Sequence, residues 1–103
     1  MLDLSNCAIE KTKKARTIAV DFDGTLCKNR YPAIGDPNMR LIQSLIQNRK
    51  DGDKVVLFTS REGHLLSAAV EFCRRHGLEF DAVFGGKVIA NIYIDDKAVK
   101  PFW

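Results

Sequence analysis

Acidic and hydroxyl side chains follow three short apolar runs in this sequence, at the point where each run ends. In chain order they are Asp21 and Asp23 after TIAV, Thr59 and Ser60 after KVVLF, and Asp95 and Asp96 after NIYI. Carboxylates that are brought together repel one another unless a cation neutralises them. A hard divalent ion with oxygen ligands, such as Mg²⁺, meets that need. The pattern therefore predicts a magnesium site, if the fold brings the ends of these runs together.

The apolar runs themselves are typical of buried β-strands. TIAV (17–20) and KVVLF (54–58) contain no regular alternation of polar residues, as expected for strands covered on both faces. A weaker strand is predicted at about 80–84, and a last one, NIYI, at 91–94. Three of these four strands end in the polar residues described above.

Two amphipathic helices are predicted between these strands. The first is expected to begin at Asp36-Pro37, with Asp as the cap and Pro at the first helical position, and to end at Asp51-Gly52. The second places the apolar side chains of 65–73 on one face. Alternating strands and helices predict an α/β fold, a Rossmann-like three-layer sandwich with a mostly parallel central sheet. The carboxyl ends of parallel strands share one edge, where ligands bind.

Each polar residue, taken singly, has an ordinary structural explanation, because strands commonly end in Asp or Ser at turns. For Thr59 and Ser60 alone, that explanation is as good as a functional one. Turns explain much less well why two different strands should both end in an acidic pair. The two acidic pairs therefore favour a site at this edge of the sheet.

The same residues resemble the motifs of the haloacid dehalogenase-like (HAD) superfamily of phosphohydrolases. DFDGTL, which contains the first acidic pair, is similar to the first motif of that superfamily. Thr59 within LFTSR matches its hydroxyl motif, and Lys87 matches its lysine. The YIDD segment matches its last acidic motif, so that the resemblance covers 21–96 in the family's order. LFTSREG, a helix and then GKVIANIYIDDKA resemble a short, capless subgroup, which implies a HAD-like fold with no cap domain.

The resemblance implies a magnesium-dependent phosphatase that works in two steps. Asp21 would be the nucleophile that forms an aspartyl-phosphate, and Asp23 would act as general acid and then as general base. Thr59 would hold the phosphoryl oxygens, and Lys87 would supply a positive charge to the phosphoryl group. The implied ligands of Mg²⁺ are Asp21, the main-chain carbonyl of Asp23, and Asp95, with Asp96 close by.

Residues next to these motifs are candidates for binding the rest of the substrate. Arg61, with Ser60 beside it, either clamps a second anionic group of the substrate or is a solvated residue at a helix start. The segment 27–35 is predicted to be a loop that forms a small flap over the site. Its residues Tyr31 and Pro32 either shape the substrate opening or pack the loop down.

Composition indicates a single domain. The 103 residues are 46% hydrophobic and 28% charged, and the net charge of +3 is too small to indicate nucleic acid. We expect one catalytic domain over 1–103, with 1–16 as an N-terminal segment of undefined structure. No apolar run is long enough to span a membrane. Three cysteines without metal-binding spacing are expected to be reduced thiols in a cytoplasmic protein.

Other functions fit parts of the pattern. Receiver domains also place Asp, Thr and Lys at strand ends with Mg²⁺, but their acidic pair comes first, whereas here it comes last. A phosphotransferase or mutase of the same fold is an alternative enzyme, and a HAD-like binding module is an alternative without catalysis. The expected substrate is a small phosphorylated molecule rather than a nucleic-acid end. A neighbouring subunit of a homo-oligomer is a candidate to cover the open site.

Overall fold

The computed structural model describes residues 15–85, 90–95 and 99–101. The described residues form seven strands and two helices. The strands are β1 (Thr17–Val20), β2 (Cys27–Arg30), β3 (Ala33–Pro37), β4 (Lys54–Phe58), β5 (Ala82–Phe84), β6 (Ile92–Ile94) and β7 (Val99–Pro101). The helices are α1 (Met39–Lys50), between β3 and β4, and α2 (Gly63–Arg75), between β4 and β5.

Five of the strands form one sheet in the order β5-β4-β1-β6-β7. β5, β4, β1 and β6 are parallel, and β7 is antiparallel to β6 at one edge. From β1 the chain moves through β4 to β5 on one side, whereas β6 lies on the other side of β1. Ligands bind at the carboxyl ends of the strands where this progression reverses, here between β1 and β6. The predicted α/β fold with a mostly parallel sheet is confirmed.

Both helices pack on the same face of the sheet, because right-handed crossovers that progress in one direction place their helices on one side. The buried side chains of this layer are Ile18, Val20, Val55, Leu57, Ile42, Leu45, Ala69 and Cys73. The helices supply the last four, from residues spaced three or four apart. Of the three layers predicted, the described residues therefore show two.

The opposite face of the sheet is also covered. Ala19 is fully buried and Val56 is 5% exposed, and both pack with Ala90 in a second cluster. Phe58 and Tyr93 extend this cluster with their rings edge to face, 6.4 Å between centroids. Burial on both faces explains why the strand sequences are apolar runs rather than alternating patterns.

The segment 27–35 was predicted to be a loop, but most of it belongs to a β-hairpin. β2 and β3 pair in antiparallel fashion, and Arg30 lies opposite Ala33, so that Tyr31 and Pro32 form the connection. The loop prediction was wrong because most of these residues are exposed, and β2 (CKNR) lacks an apolar pattern. The hairpin still occupies the position expected for a flap, between β1 and the first helix.

The first helix begins later than predicted. Asp36 and Pro37 complete β3, and Asn38 is the N-cap of α1. The Asn38 side-chain oxygen accepts a hydrogen bond from the Leu41 N–H at 3.2 Å, while its amide donates to the Thr25 carbonyl at 3.1 Å. The predicted Asp-Pro start was wrong because this second bond ties Asn38 to the turn that follows β1.

The remaining predicted elements are confirmed within a few residues. β1 and β4 have the predicted bounds, whereas β5 and β6 are shorter, with three residues each. The last turn of α2 contains Arg74 and Arg75, which suit the negative end of the helix dipole. The edge strand β7 was not predicted. Neither described helix has the length and apolar character needed to cross a membrane.

Candidate functional site

Asp21 and Asp95 lie side by side at the carboxyl ends of β1 and β6. In the parallel register Val20 is the partner of Ile94, and the acidic residues follow these two positions directly. The Asp21 N–H donates to the Ile94 carbonyl at 2.9 Å, which continues the pairing one step beyond the strands. Neighbouring strands are about 4.8 Å apart. The structure therefore brings together two of the predicted metal-binding carboxylates, both half-buried.

The turn after β1 fixes the Asp21 carboxylate. The Phe22 N–H donates to Asp21 Oδ1 at 2.8 Å, and the Phe22 ring is fully buried. Gly24 then adopts a φ of +85°, a conformation that glycine allows without a steric penalty, and its N–H donates to the Cys27 carbonyl at 2.9 Å. The buried Phe22 and the turn at Gly24 thus fix the position of Asp21 at the carboxyl edge of the sheet.

Thr59 lies at the end of β4, on the other side of β1 from Asp95. It is 5% exposed, and its N–H donates to the Phe84 carbonyl at 3.0 Å. Its Oγ1 accepts a hydrogen bond from the Arg61 main-chain N–H at 3.1 Å. A hydroxyl that accepts one hydrogen bond still has its proton to donate, so Thr59 suits an anion. Ser60, the next residue, is exposed.

Asp23 faces the guanidinium of Arg61. Arg61 Nε donates to Asp23 Oδ2 at 2.8 Å, and Nη2 donates to Oδ1 at 2.7 Å. This two-bond geometry is the strongest arrangement of an arginine–carboxylate pair. Hydrogen bonding to Asp23 raises the pKa of Arg61 above its ordinary value. The sequence suggested no partner for Asp23, because the two residues are 38 positions apart.

Arg61 is buried, and its other N–H groups also have partners. Nη1 donates to the Pro32 carbonyl at 3.1 Å and to the Leu65 carbonyl at 3.5 Å, and Nη2 donates to the Ala33 carbonyl at 2.9 Å. With 1% of its surface exposed, Arg61 is not the solvated helix-start residue offered as one alternative. In this arrangement its five N–H groups bind the protein itself rather than a second anionic group of a substrate.

The described residues offer two carboxylates and a carbonyl for a metal ion, rather than a cluster of acidic side chains. Within the part of the chain that the structure describes, no group of three or more His, Cys, Asp or Glu residues is arranged to hold a metal. The Asp23 side chain is engaged by Arg61, which leaves its main chain as the predicted donor. Asp21 and Asp95 remain as the predicted side-chain ligands, and this all-oxygen set is the kind that Mg²⁺ prefers.

Two predicted site residues, Lys87 and Asp96, lie outside the described residues. Their assignments as a catalytic lysine and as a residue near the metal stay predictions. Of the remaining candidates, all lie at the carboxyl edge of the sheet. They are Asp21, Asp23, Thr59, Ser60, Arg61 and Asp95.

A cavity of about 340 Å³ adjoins the turn after β1, between the hairpin and the start of α1. Gly24, Thr25 and Asn38 are among the residues that line it. Among the described residues, the predicted catalytic side chains of Asp21, Asp23 and Thr59 do not line this cavity, so it lies beside them. Thr25 Oγ1 is buried there without a hydrogen-bond partner among the described residues.

The two described cysteines have no part in this edge chemistry. Cys27 and Cys73 are free thiols and both are buried. Burial raises the pKa of Cys27, and it raises the pKa of Cys73 to about 12. Because the thiolate is the nucleophile, raised pKa values disfavour the reactive form of both residues. The prediction of reduced thiols is confirmed for both, while Cys7 lies outside the described residues.

These features define an α/β protein whose mostly parallel sheet has acidic and hydroxyl side chains at its carboxyl edge. Its fold is similar to that of a solved structure, a conserved protein from Bacteroides thetaiotaomicron, with a TM-score of 0.75 and 39% sequence identity. The similarity covers 82% of this chain and 78% of the other. The chain belongs to the same family as that conserved protein. No protein-family model matches the chain, and no curated protein matches it.

Proposed function

We propose that this protein is a magnesium-dependent phosphomonoester hydrolase of the HAD type that works through an aspartyl-phosphate on Asp21. The observation that supports this proposal best is the register of β1 and β6, which sets Asp21 beside Asp95 at the carboxyl edge. The Thr59 hydroxyl and the Asp23 side chain lie at the ends of the same group of neighbouring strands. The proposed nucleophile Asp21, the proposed acid/base group Asp23 and the Thr59 hydroxyl, a hydrogen-bond donor for the phosphoryl oxygens, thus lie on one edge of the sheet.

In the first step, a carboxylate oxygen of Asp21 attacks phosphorus and the ester P–O bond breaks. Asp23 gives its proton to the leaving oxygen. In the second step, water attacks phosphorus, the bond between phosphorus and the Asp21 oxygen breaks, and Asp23 takes the proton of the water. Phosphate leaves and Asp21 is again a carboxylate. The Phe22 N–H, which holds Asp21 Oδ1, orients the nucleophile.

Charge builds up on the phosphoryl oxygens during both steps. The Thr59 hydroxyl donates to one of these oxygens, and its position is held by the Arg61 N–H. Lys87, outside the described residues, is the proposed cationic partner. Asp21, Asp95 and the main-chain carbonyl of Asp23 would hold Mg²⁺, which would supply positive charge to the phosphoryl group.

The chain between β1 and α1 forms the β2–β3 hairpin, with no inserted domain. A site covered only by such a hairpin would admit water and substrates of various shapes. Water as acceptor makes hydrolysis a better proposal than transfer to a second substrate. We propose a small phosphorylated molecule as the substrate, with a nucleic-acid end as the alternative to be tested beside it.

The test is phosphate release from p-nitrophenyl phosphate by purified protein, with and without Mg²⁺. Asp21→Asn removes the nucleophilic oxygen but keeps the side-chain shape, so we expect turnover to fall on the order of 10⁴-fold. Activity in wild type that depends on Mg²⁺ and is lost in Asp21→Asn supports the proposal. Equal activity of the two proteins would contradict it.

The matched control is Asp51→Asn. Asp51 is also an aspartate next to a secondary-structure element, but it is exposed after α1 and accepts a hydrogen bond from Gln47. We expect this variant to keep wild-type turnover. A set of phosphorylated metabolites and oligonucleotides then identifies the substrate class, and inactivity towards all of them would favour the binding-module alternative.

A further inference from the structure

Arg61 is a buried cation whose bonds all stay within the protein. Its five N–H groups make five hydrogen bonds, two to the Asp23 carboxylate and three to main-chain carbonyls. Its guanidinium carbon lies 5.1 Å from the centre of the Phe22 ring and 5.0 Å from that of the Tyr31 ring. A group bound on all sides in this way has one orientation, and it imposes that orientation on Asp23.

The three carbonyls come from two separate parts of the fold. Pro32 and Ala33 are at the turn of the hairpin, and Leu65 is in the first turn of α2. Arg61 therefore links the hairpin, α2 and the turn after β1 through a single guanidinium. The Asp23 side chain is 17% exposed, so one part of it still reaches solvent at the edge.

The arginine does not occupy the whole of the Asp23 carboxylate. A carboxylate has about four lone-pair positions, and the two Arg61 bonds use one on each oxygen. The two Arg61 bonds also fix the directions of the remaining lone pairs, because rotation of the carboxylate would break both bonds. Asp23 is thus held rigidly while one lone pair on each oxygen remains for a further hydrogen bond.

We propose that Arg61 is a positioning residue for Asp23, and that it makes the orientation of this acid/base group depend on the β2–β3 hairpin. This inference rests on the proposed phosphatase function. Arg61 itself touches neither the substrate nor the reacting atoms. Its contribution to catalysis is the alignment of Asp23 in both steps of the reaction.

The leaving group distinguishes alignment from a purely structural role. p-Nitrophenolate leaves without a proton, so the first step with p-nitrophenyl phosphate needs little help from Asp23. The second step still needs Asp23 as the base for water. Arg61→Met should therefore give a rapid burst of one p-nitrophenolate per active site and then slow turnover. With an alkyl phosphate the variant should show no burst, and kcat should fall on the order of 10²-fold.

Two further variants sharpen this test. Arg61→Lys keeps the positive charge but loses the two parallel hydrogen bonds to the Asp23 carboxylate. Its kcat should therefore lie between those of wild type and Arg61→Met. The double variant Asp23→Asn/Arg61→Met should be no slower than Asp23→Asn alone, because alignment of a missing carboxylate has no value.

The matched control is Arg49→Met. Arg49 forms the same two-bond pair with Asp81, at 3.1 and 2.8 Å, at the amino ends of the strands. The Arg49→Met variant should have a lower melting temperature than wild type but the same kcat and the same kinetics of p-nitrophenolate release. A folded Arg61→Lys or Arg61→Met with wild-type kinetics on both substrates overturns this inference but leaves the phosphatase proposal standing. An inactive wild type overturns both.

Discussion

The two ends of the parallel strands both have acidic residues, but in different arrangements. At the amino ends, Asp53 and Asp81 each form an ion pair with a different arginine. At the carboxyl ends, Asp21 and Asp95 follow paired positions of neighbouring strands and lie next to each other. The aspartates at the amino ends thus each pair with an arginine, whereas at the carboxyl ends two aspartates are neighbours.

The amino-end aspartates are bound by their own chain. Asp53, with a side chain only 1% exposed, accepts hydrogen bonds from the main-chain N–H and guanidinium of Arg16 and from the Asn48 amide. Asp81 accepts from the Val55 N–H at 2.7 Å as well as from its arginine. These bonds join the start of β4 to the segments before β1 and β5, and they stabilise the fold.

Position along the strands separates the structural carboxylates from the candidate functional ones. A carboxylate with donors fixed by the chain stabilises the protein without any ligand. Two carboxylates set side by side repel each other, and a cation relieves that repulsion. The side-by-side placement of Asp21 and Asp95 is therefore the observation that supports the proposed metal site.

At the carboxyl end, Asp95→Asn should have a large effect, second only to that of Asp21→Asn. Loss of one negative ligand should weaken Mg²⁺ binding and lower turnover by about 10²- to 10³-fold at a fixed Mg²⁺ concentration. Removal of Mg²⁺ with a chelator should abolish wild-type activity, and added Mg²⁺ should restore it. The measurement is kcat/KM for an aryl phosphate over a range of Mg²⁺ concentrations.

Thermal unfolding gives a second readout of the same substitution. A cation that binds only the folded protein raises its melting temperature by mass action. Mg²⁺ should therefore raise the melting temperature of wild type and of Asp51→Asn, but much less that of Asp95→Asn. If Asp95→Asn responds to Mg²⁺ as wild type does, Asp95 is not a metal ligand.

Much of this edge could be predicted from the sequence, because it depends on strand identity and on parallel topology alone. TIAV and KVVLF are apolar throughout, so their burial and their carboxyl ends follow directly. Asp21 and Thr59 then fall at the same edge of the sheet, and the register of β1 and β6 adds Asp95.

The partner of Asp23 could not be predicted in the same way. It depends on how the hairpin packs, and the exposed residues of 27–35 lack an apolar pattern that would indicate strands. The helix start raised a similar difficulty, since Asp36 and Asn38 are both good capping residues. The hydrogen bond from the Asn38 amide to the Thr25 carbonyl makes Asn38 the cap. It joins residues 13 positions apart, so the local sequence around the helix start does not predict it.

At the amino end, Asp53→Ala should lower stability rather than activity. The substitution leaves the Arg16 and Asn48 donors without their acceptor, and we expect the free energy of unfolding to fall by about 2–3 kcal/mol. Denaturant unfolding measures this change, and kcat of the folded variant should equal that of wild type. A variant of normal stability but low kcat would remove the distinction between the two ends of the sheet.

The smallest expected effect concerns Asp81 and depends on pH. Hydrogen bonding to Arg49 lowers the pKa of Asp81 below its ordinary value of 3.8, so the folded protein favours the carboxylate form. The resulting stability is fully present above pH 3.8 and is lost as the pH falls through the lower pKa of the folded state. Because the pair is partly exposed, Asp81→Asn should cost only about 0.5–1 kcal/mol at pH 7. Unfolding curves of the two proteins should converge on acidification.

Glu71→Gln, at an exposed pair on α2, is the control and should show almost no difference from wild type at pH 7 or at acidic pH. A gap between wild type and Asp81→Asn that stays constant from pH 7 to acid would mean that Asp81 stabilises the fold through its shape, with no contribution from its charge.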